Sequence, residues 1–181
     1  TDGQGNTVYF SECIIIFTSN LGIYTRNEMG IREPNVTPDM EYPEVQKRVR
    51  QAIEDYFKLE LGRPEILNRI GENIVVFDFI RPEVAELILK AQIEKIVKNL
   101  EAEKKIRLVI SENAYAKLKE KTLENLGNGG RGVGNIVESL LINPLSRYLF
   151  DEDIKGDVKL IVRDIGAENL TYTLECSYET I

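Results

Sequence analysis

Thr18-Ser19-Asn20 follows directly on the apolar run Cys13-Ile14-Ile15-Ile16-Phe17. In open α/β sheets, ligands lie beyond the carboxyl ends of the strands. An amide placed there can orient a water or hold a phosphate oxygen, so Asn20 is a candidate catalytic residue; the alternative is that it caps a turn. Arg63 and Arg69 flank Pro64-Glu65-Ile66-Leu67-Asn68. A guanidinium donates in parallel and stays charged, which suits it to phosphate. The competing reading is surface ion pairing with Glu60, Glu65 or Glu72, which is weak. The third signal is Gly127-Asn128-Gly129-Gly130-Arg131-Gly132. It satisfies G-x-G-x-x-G in form only, because a helix precedes it and no βαβ unit follows. What remains is a glycine-rich loop that presents Arg131 near a helix N-terminus, where anions are favoured, or a plain helix–helix turn.

Other chemistries are removed by what the sequence lacks. It has no histidine, which excludes His triads, His-ligated zinc and imidazole bases together. Cys13 and Cys176 are far apart, each in an apolar or alternating run, and read as buried free thiols. No G-x-x-x-x-G-K-[ST] occurs, nor an acidic pair after a strand to hold magnesium, so the 181 residues alone are not expected to hydrolyse ATP. With a net charge of −7 and no Lys/Arg-rich run, a nucleic-acid partner is not expected. No apolar stretch has the length of a membrane span, and the polar opening residues are no signal peptide. A cytoplasmic protein with no membrane partner is expected. The abrupt start suggests part of something longer.

The elements that must position these residues fall into two parts. Residues 1–80 read as an incomplete α/β unit. Cys13–Phe17 and Ile74–Phe77 are short apolar runs of the kind buried on both faces of a parallel sheet. An irregular stretch over 21–43 separates the first of them from a helix that starts after Pro43. Pro64 opens a further helical turn. Residues 81–181 read as a complete small α+β domain of three helices and a three-stranded sheet. A helix runs from Pro82 to about Lys105, a strand covers Ile106–Ile110, and Ser111 caps a helix that ends at Gly127. A third helix, from about Val133 to Phe150, must be kinked or split by Pro144. Two alternating strands follow, one with Val158, Leu160 and Val162 on a face, the other with Leu170, Tyr172, Leu174 and Cys176, and Gly166 falls in the turn between them.

Taken in order, these motifs resemble the second nucleotide-binding module of the Clp/HSP100 group of AAA+ unfoldases. That group has a segment like D-G-Q-G-R-T-V-D-F, matched here by Asp2 to Phe10, and then T-S-N-L-G, found as Thr18 to Gly22. Its F-R-P-E-F-L-N-R-I-D is similar to Gly62-Arg63-Pro64-Glu65-Ile66-Leu67-Asn68-Arg69-Ile70-Gly71. Its lid motif Y-G-A-R-P-L compares with Asn128 to Val133, where glycine and valine replace the proline and leucine, and E-N-P-L-A is matched loosely by Ile142 to Ser146. The resemblance implies a partial AAA+ large subdomain over 1–80 and a small C-terminal lid over 81–181. It implies Asn20 as sensor one, Arg69 as an arginine finger reaching a neighbour's site, Arg131 as sensor two, and Arg63 as an assisting or bracing residue. The implied machine is a homohexameric ring that uses ATP and magnesium, both bound mainly by upstream parts, to act on protein substrates. Met29-Gly30-Ile31 lies where protease-partnered members carry a hydrophobic-Gly-hydrophobic tripeptide, so a peptidase ring is a possible partner. The alternative is a non-enzymatic oligomerisation or interaction module derived from such a lid.

Overall fold

A computed structural model of the chain describes residues 3–7, 9, 11–27, 29–168 and 171–181. It divides into two compact units, Thr1–Asp78 and Phe79–Ile181.

The first unit is built around one helix. Strands β1 (Tyr24–Arg26) and β2 (Arg32–Pro34) form an antiparallel hairpin with Arg26 opposite Arg32. Helix α1 (Tyr42–Asp55) starts with Pro43 in its first turn and buries Val45 and Val49. Asn35 fastens the hairpin's end to the helix: its side-chain amide donates to the Gly22 carbonyl at 2.8 Å and to the Arg48 carbonyl at 3.3 Å. Gly22 is required there, because its φ is +85° and a Cβ would lie 2.9 Å from the Val49 carbonyl oxygen. A π-helical turn (Tyr56–Glu60) continues α1, and a second short helix, α2 (Pro64–Ile70), follows.

Two sequence expectations fail in this unit. Neither Cys13–Phe17 nor Ile74–Phe77 is a strand. Ile14, Ile16 and Phe17 are 82–92% exposed, and Cys13 is exposed rather than buried. A strand buried on both faces needs a ladder neighbour at each edge and a layer over each face. No described strand of this chain pairs with either run. Around 74–77, side chains take the place of a ladder: Tyr42 Oη donates to the Val76 carbonyl at 2.9 Å, and Arg50 Nη2 to the Ile74 carbonyl at 2.8 Å. Val76 is buried while Val75 and Phe77 face solvent.

The second unit holds the main core. Helix α3 (Pro82–Lys104) ends where Lys105 adopts the left-handed conformation, φ 55°, and turns the chain into β3 (Ile106–Ile110). Ser111 caps α4 (Glu112–Glu124), its hydroxyl accepting from the Ala114 N–H at 3.1 Å. Glu86 on α3 clamps the two helices, 2.7 Å from Lys119 Nζ on α4 and 3.0 Å from Lys90 Nζ. After a 3₁₀ turn (Leu126–Asn128), α5 (Gly129–Val137), a π segment (Glu138–Ile142) and α6 (Asn143–Asp151) make one helical path. It starts four residues earlier than Val133. Pro144 sits in the first turn of α6, and the π segment resolves its missing donor: the Asn143 N–H reaches back to Glu138 instead.

Strand β3 pairs in parallel with β4 (Val158–Glu168), which pairs antiparallel with β5 (Thr171–Thr180). Val158, Leu160 and Val162 are buried as their alternation requires. A bulge between Val162 and Asp164 then shifts the phase, so that Ile165 rather than Asp164 faces the core. Gly166 is therefore not the turn: it lies in the ladder opposite Thr173. Leu170, assigned by its pattern to the second strand, lies outside the described residues. Leu89, Ile106, Leu118, Leu141 and Leu160 are fully buried at the centre. Cys176 is only half-buried, and desolvation pushes its thiol up to about 11.

Candidate functional site

Asn20 sits in an exposed turn at the mouth of a cleft of about 660 Å³ within the first unit, between the β1–β2 hairpin and α1. The turn is capped by its neighbour: Ser19 Oγ accepts from the Leu21 N–H at 3.0 Å, while the Asn20 carbonyl accepts from Ile23 at 3.4 Å. Among the described residues, the Asn20 side-chain amide makes no hydrogen bond. The turn-capping alternative thus belongs to Ser19, and the Asn20 amide is left available to a ligand.

Arg63 and Arg69 bracket α2, and neither lines that cleft. Arg63 precedes the first helical residue, and its Nη1 lies 3.4 Å from Glu65 Oε1 with both side chains mostly exposed. The ion-pair reading holds for Arg63, and such a pair adds little. Arg69 occupies the last turn and is exposed. Among the described residues it makes no ion pair or hydrogen bond. Glu72, the acid nearest in sequence, lies 3.7 Å from Arg50. A charged guanidinium facing water from a helix that buries none of its own residues is free to meet a group from outside the unit.

Arg131 is in the second unit. It lies in the first turn of α5 rather than in a loop before it, is exposed, and has no polar partner among the described residues. Gly132 and Val133 beside it are buried, which turns the arginine outward.

The tripeptide Met29-Gly30-Ile31 forms the tip of the hairpin. Asn27 Oδ1 accepts from the Met29 and Ile31 N–H groups at 3.1 and 2.9 Å, and Gly30 takes φ +76°. Met29 and Ile31 are both exposed.

Sequence reasoning missed the cations around the cleft. Arg26 and Arg32 face each other across the hairpin, Arg32 lies 4.1 Å above the Tyr24 ring, and Lys47 and Arg48 project from α1. No motif marks them, since they come from two elements more than a dozen residues apart.

The description of the C-terminal, D2-small domain of ClpB protein matches residues 80–162. Chaperone protein ClpB of Meiothermus ruber is 33% identical over 172 residues, 95% of this chain and 18% of that one. The chain carries a Clp/HSP100-type AAA+ C-terminal lid region. The Clp resemblance extends across the first unit as well. Chaperone protein ClpB of Gloeobacter violaceus is 33% identical over 157 residues, 87% of this chain and 16% of its own. The chloroplastic ClpB2 of Oryza sativa subsp. japonica is 32% identical over 166 residues, 90% and 16%. The chain spans about a sixth of the length of the curated Clp relatives it matches.

Proposed function

We propose that this chain is the C-terminal part of a Clp-type, ATP-driven protein disaggregase that works as a homohexameric ring. In this reading residues 1–80 belong to an AAA+ large subdomain and 81–181 form its lid. Asn20 orients the attacking water, and Arg69 reaches the nucleotide of the adjacent subunit. Arg131 contacts phosphate from the lid, and Arg63 braces the segment that carries Arg69. ATP is the substrate. Among the described residues no group of three His, Cys, Asp or Glu side chains is placed to hold a metal ion. Magnesium and the phosphate cradle are therefore assigned to residues outside this chain, and the 181 residues alone are expected to be inactive. We place the ring in the cytoplasm, which cell fractionation checks. Among the described residues no helix is long and apolar enough to cross a membrane.

The observation that carries the reading is the exposed, unpaired guanidinium of Arg69 at the end of α2. The transferring phosphoryl group spreads negative charge over its oxygens, and a guanidinium supplied in trans stabilises it by about 10³-fold or more in rate. Arg69→Ala in the full-length parent is expected to abolish ATP turnover while nucleotide still binds. Turnover at the wild-type rate would remove the assignment.

The exposed Met29 and Ile31 at the hairpin tip favour one further partner, a peptidase ring. Pull-down of such a peptidase by the parent, lost on Gly30→Asp, is the expected result; no capture by the unsubstituted protein ends this reading.

A further inference from the structure

The cleft beside α1 has a cationic rim and an apolar floor. Arg26, Arg32 and Lys47 are exposed on it and have no carboxylate partner among the described residues, whereas Arg48 is bound to Glu44 at 2.7 Å. Asp55 is held at one end by Gln51 Nε2 at 3.0 Å, and Glu60 lies near it. The floor carries Tyr24, Ala52 and Leu59. The three unpaired cations stand out on a chain whose net charge is −7. They are spread along two elements and do not converge on one point, so a single phosphate would engage only part of them. The cleft fits an occupant that is apolar and acidic at once.

The second unit exposes such a segment. At the end of α6, Phe150 is 85% exposed and is followed by Asp151, Glu152 and Asp153, all exposed. Its backbone is already fixed. The Glu152 N–H donates to Tyr148 at 3.0 Å, the Asp153 N–H to Phe150 at 3.2 Å, and Asp153 takes φ 50°. A preformed corner loses little entropy on docking. Asp153 is shared with Lys155 at 2.8 Å, an exposed pair of small worth. Asp151 and Glu152 make no ion pair among the described residues.

We propose that the cationic cleft of one copy receives the Phe150-Asp151-Glu152-Asp153 corner of a second copy. The contact joins two different surfaces, so it is heterologous: each copy keeps one free cleft and one free corner, and repetition gives a ring or an open chain. The inference stands on charge and shape, independently of what Arg69 does.

The test is sedimentation velocity of the 181-residue chain over a concentration series at low and high salt. Concentration-dependent association that weakens with salt is expected, since rim charges are screened. Arg32→Glu and Asp151→Lys are each expected to weaken association about tenfold or more, the size of one close charge pair. The double variant, with the charges exchanged, is expected to recover most of the loss. Circular dichroism of each variant establishes that these surface changes leave the fold intact. A chain that stays monomeric throughout overturns the inference. So does association that salt strengthens, which would point to the exposed apolar run at 13–17, or association that the charge exchange does not rescue. Arg69→Ala is expected to leave association unchanged, so this inference and the arginine-finger reading fail on separate measurements.

Discussion

Glu86 shows how a single side chain can tie the pH response of the lid to its packing. Hydrogen bonds from Lys119 and then Lys90 hold its carboxyl down at about 2, well below the ordinary value of 4.5. A carboxylate whose folded value is depressed adds stability above its unfolded value, and that stability is lost as pH falls through the folded one. The window here runs from about 4.5 down to about 2. Glu86→Gln is therefore expected to lower the melting temperature at neutral pH and to flatten its decline across that window, as read by thermal unfolding at a series of pH values. Arg63 and Arg69 make the complementary point. Both are exposed arginines on one short helix, and the sequence treats them alike. Only the structure separates them, by giving Arg63 a glutamate and leaving Arg69 without one.

At the scale of elements, the first unit is fastened by a close approach. The chain reverses at Gly22 against the Val49 backbone, in a conformation that strains any side chain. Gly22→Ala is expected to cost about 2 kcal/mol from the left-handed strain together with the forced shift of α1. Loss of helical signal at lower urea than the parent would register it, and an unchanged midpoint would contradict it. The elements legible in the sequence were those whose signal is local. Pro43, Pro64 and Pro82 mark helix starts, and Ser111 a cap. Strict alternation marks the buried face of β4 as far as Val162. What could not be read depends on partners. The apolar runs at 13–17 and 74–77 specify the surroundings a strand would need, and composition cannot say whether those surroundings exist. The bulge at Arg163 is likewise silent, because one extra residue in a strand leaves no compositional trace. Asn20 and Arg131 were found by motif. The cations of the cleft were not, because spatial convergence has no spacing rule.

For the molecule as a whole, stability is unevenly divided. The large buried cluster, from Ala85 to Ile165, lies entirely within the second unit. The first unit buries only Val36, Val45, Val49 and Val76 among its described apolar residues. A domain of about 100 residues with one continuous core can fold alone, whereas a shorter one with few buried groups is marginal. Residues 79–181 expressed separately are expected to unfold cooperatively on heating, while residues 1–78 show no sharp transition. A cooperative melt of the shorter piece would refute this division.

The single helical path from Gly129 to Asp151 links two features that otherwise seem unrelated. By the rise of a helix it is roughly 30 Å long, with Arg131 near one tip and Phe150 near the other. A stiff rod converts a small tilt at the end that grips an anion into a displacement at the far end. The wider-wound turn at Glu138–Ile142, midway along, is where that lever can flex. Cargo handling by a ring of such parts would then be geared to nucleotide state through the length of one helix.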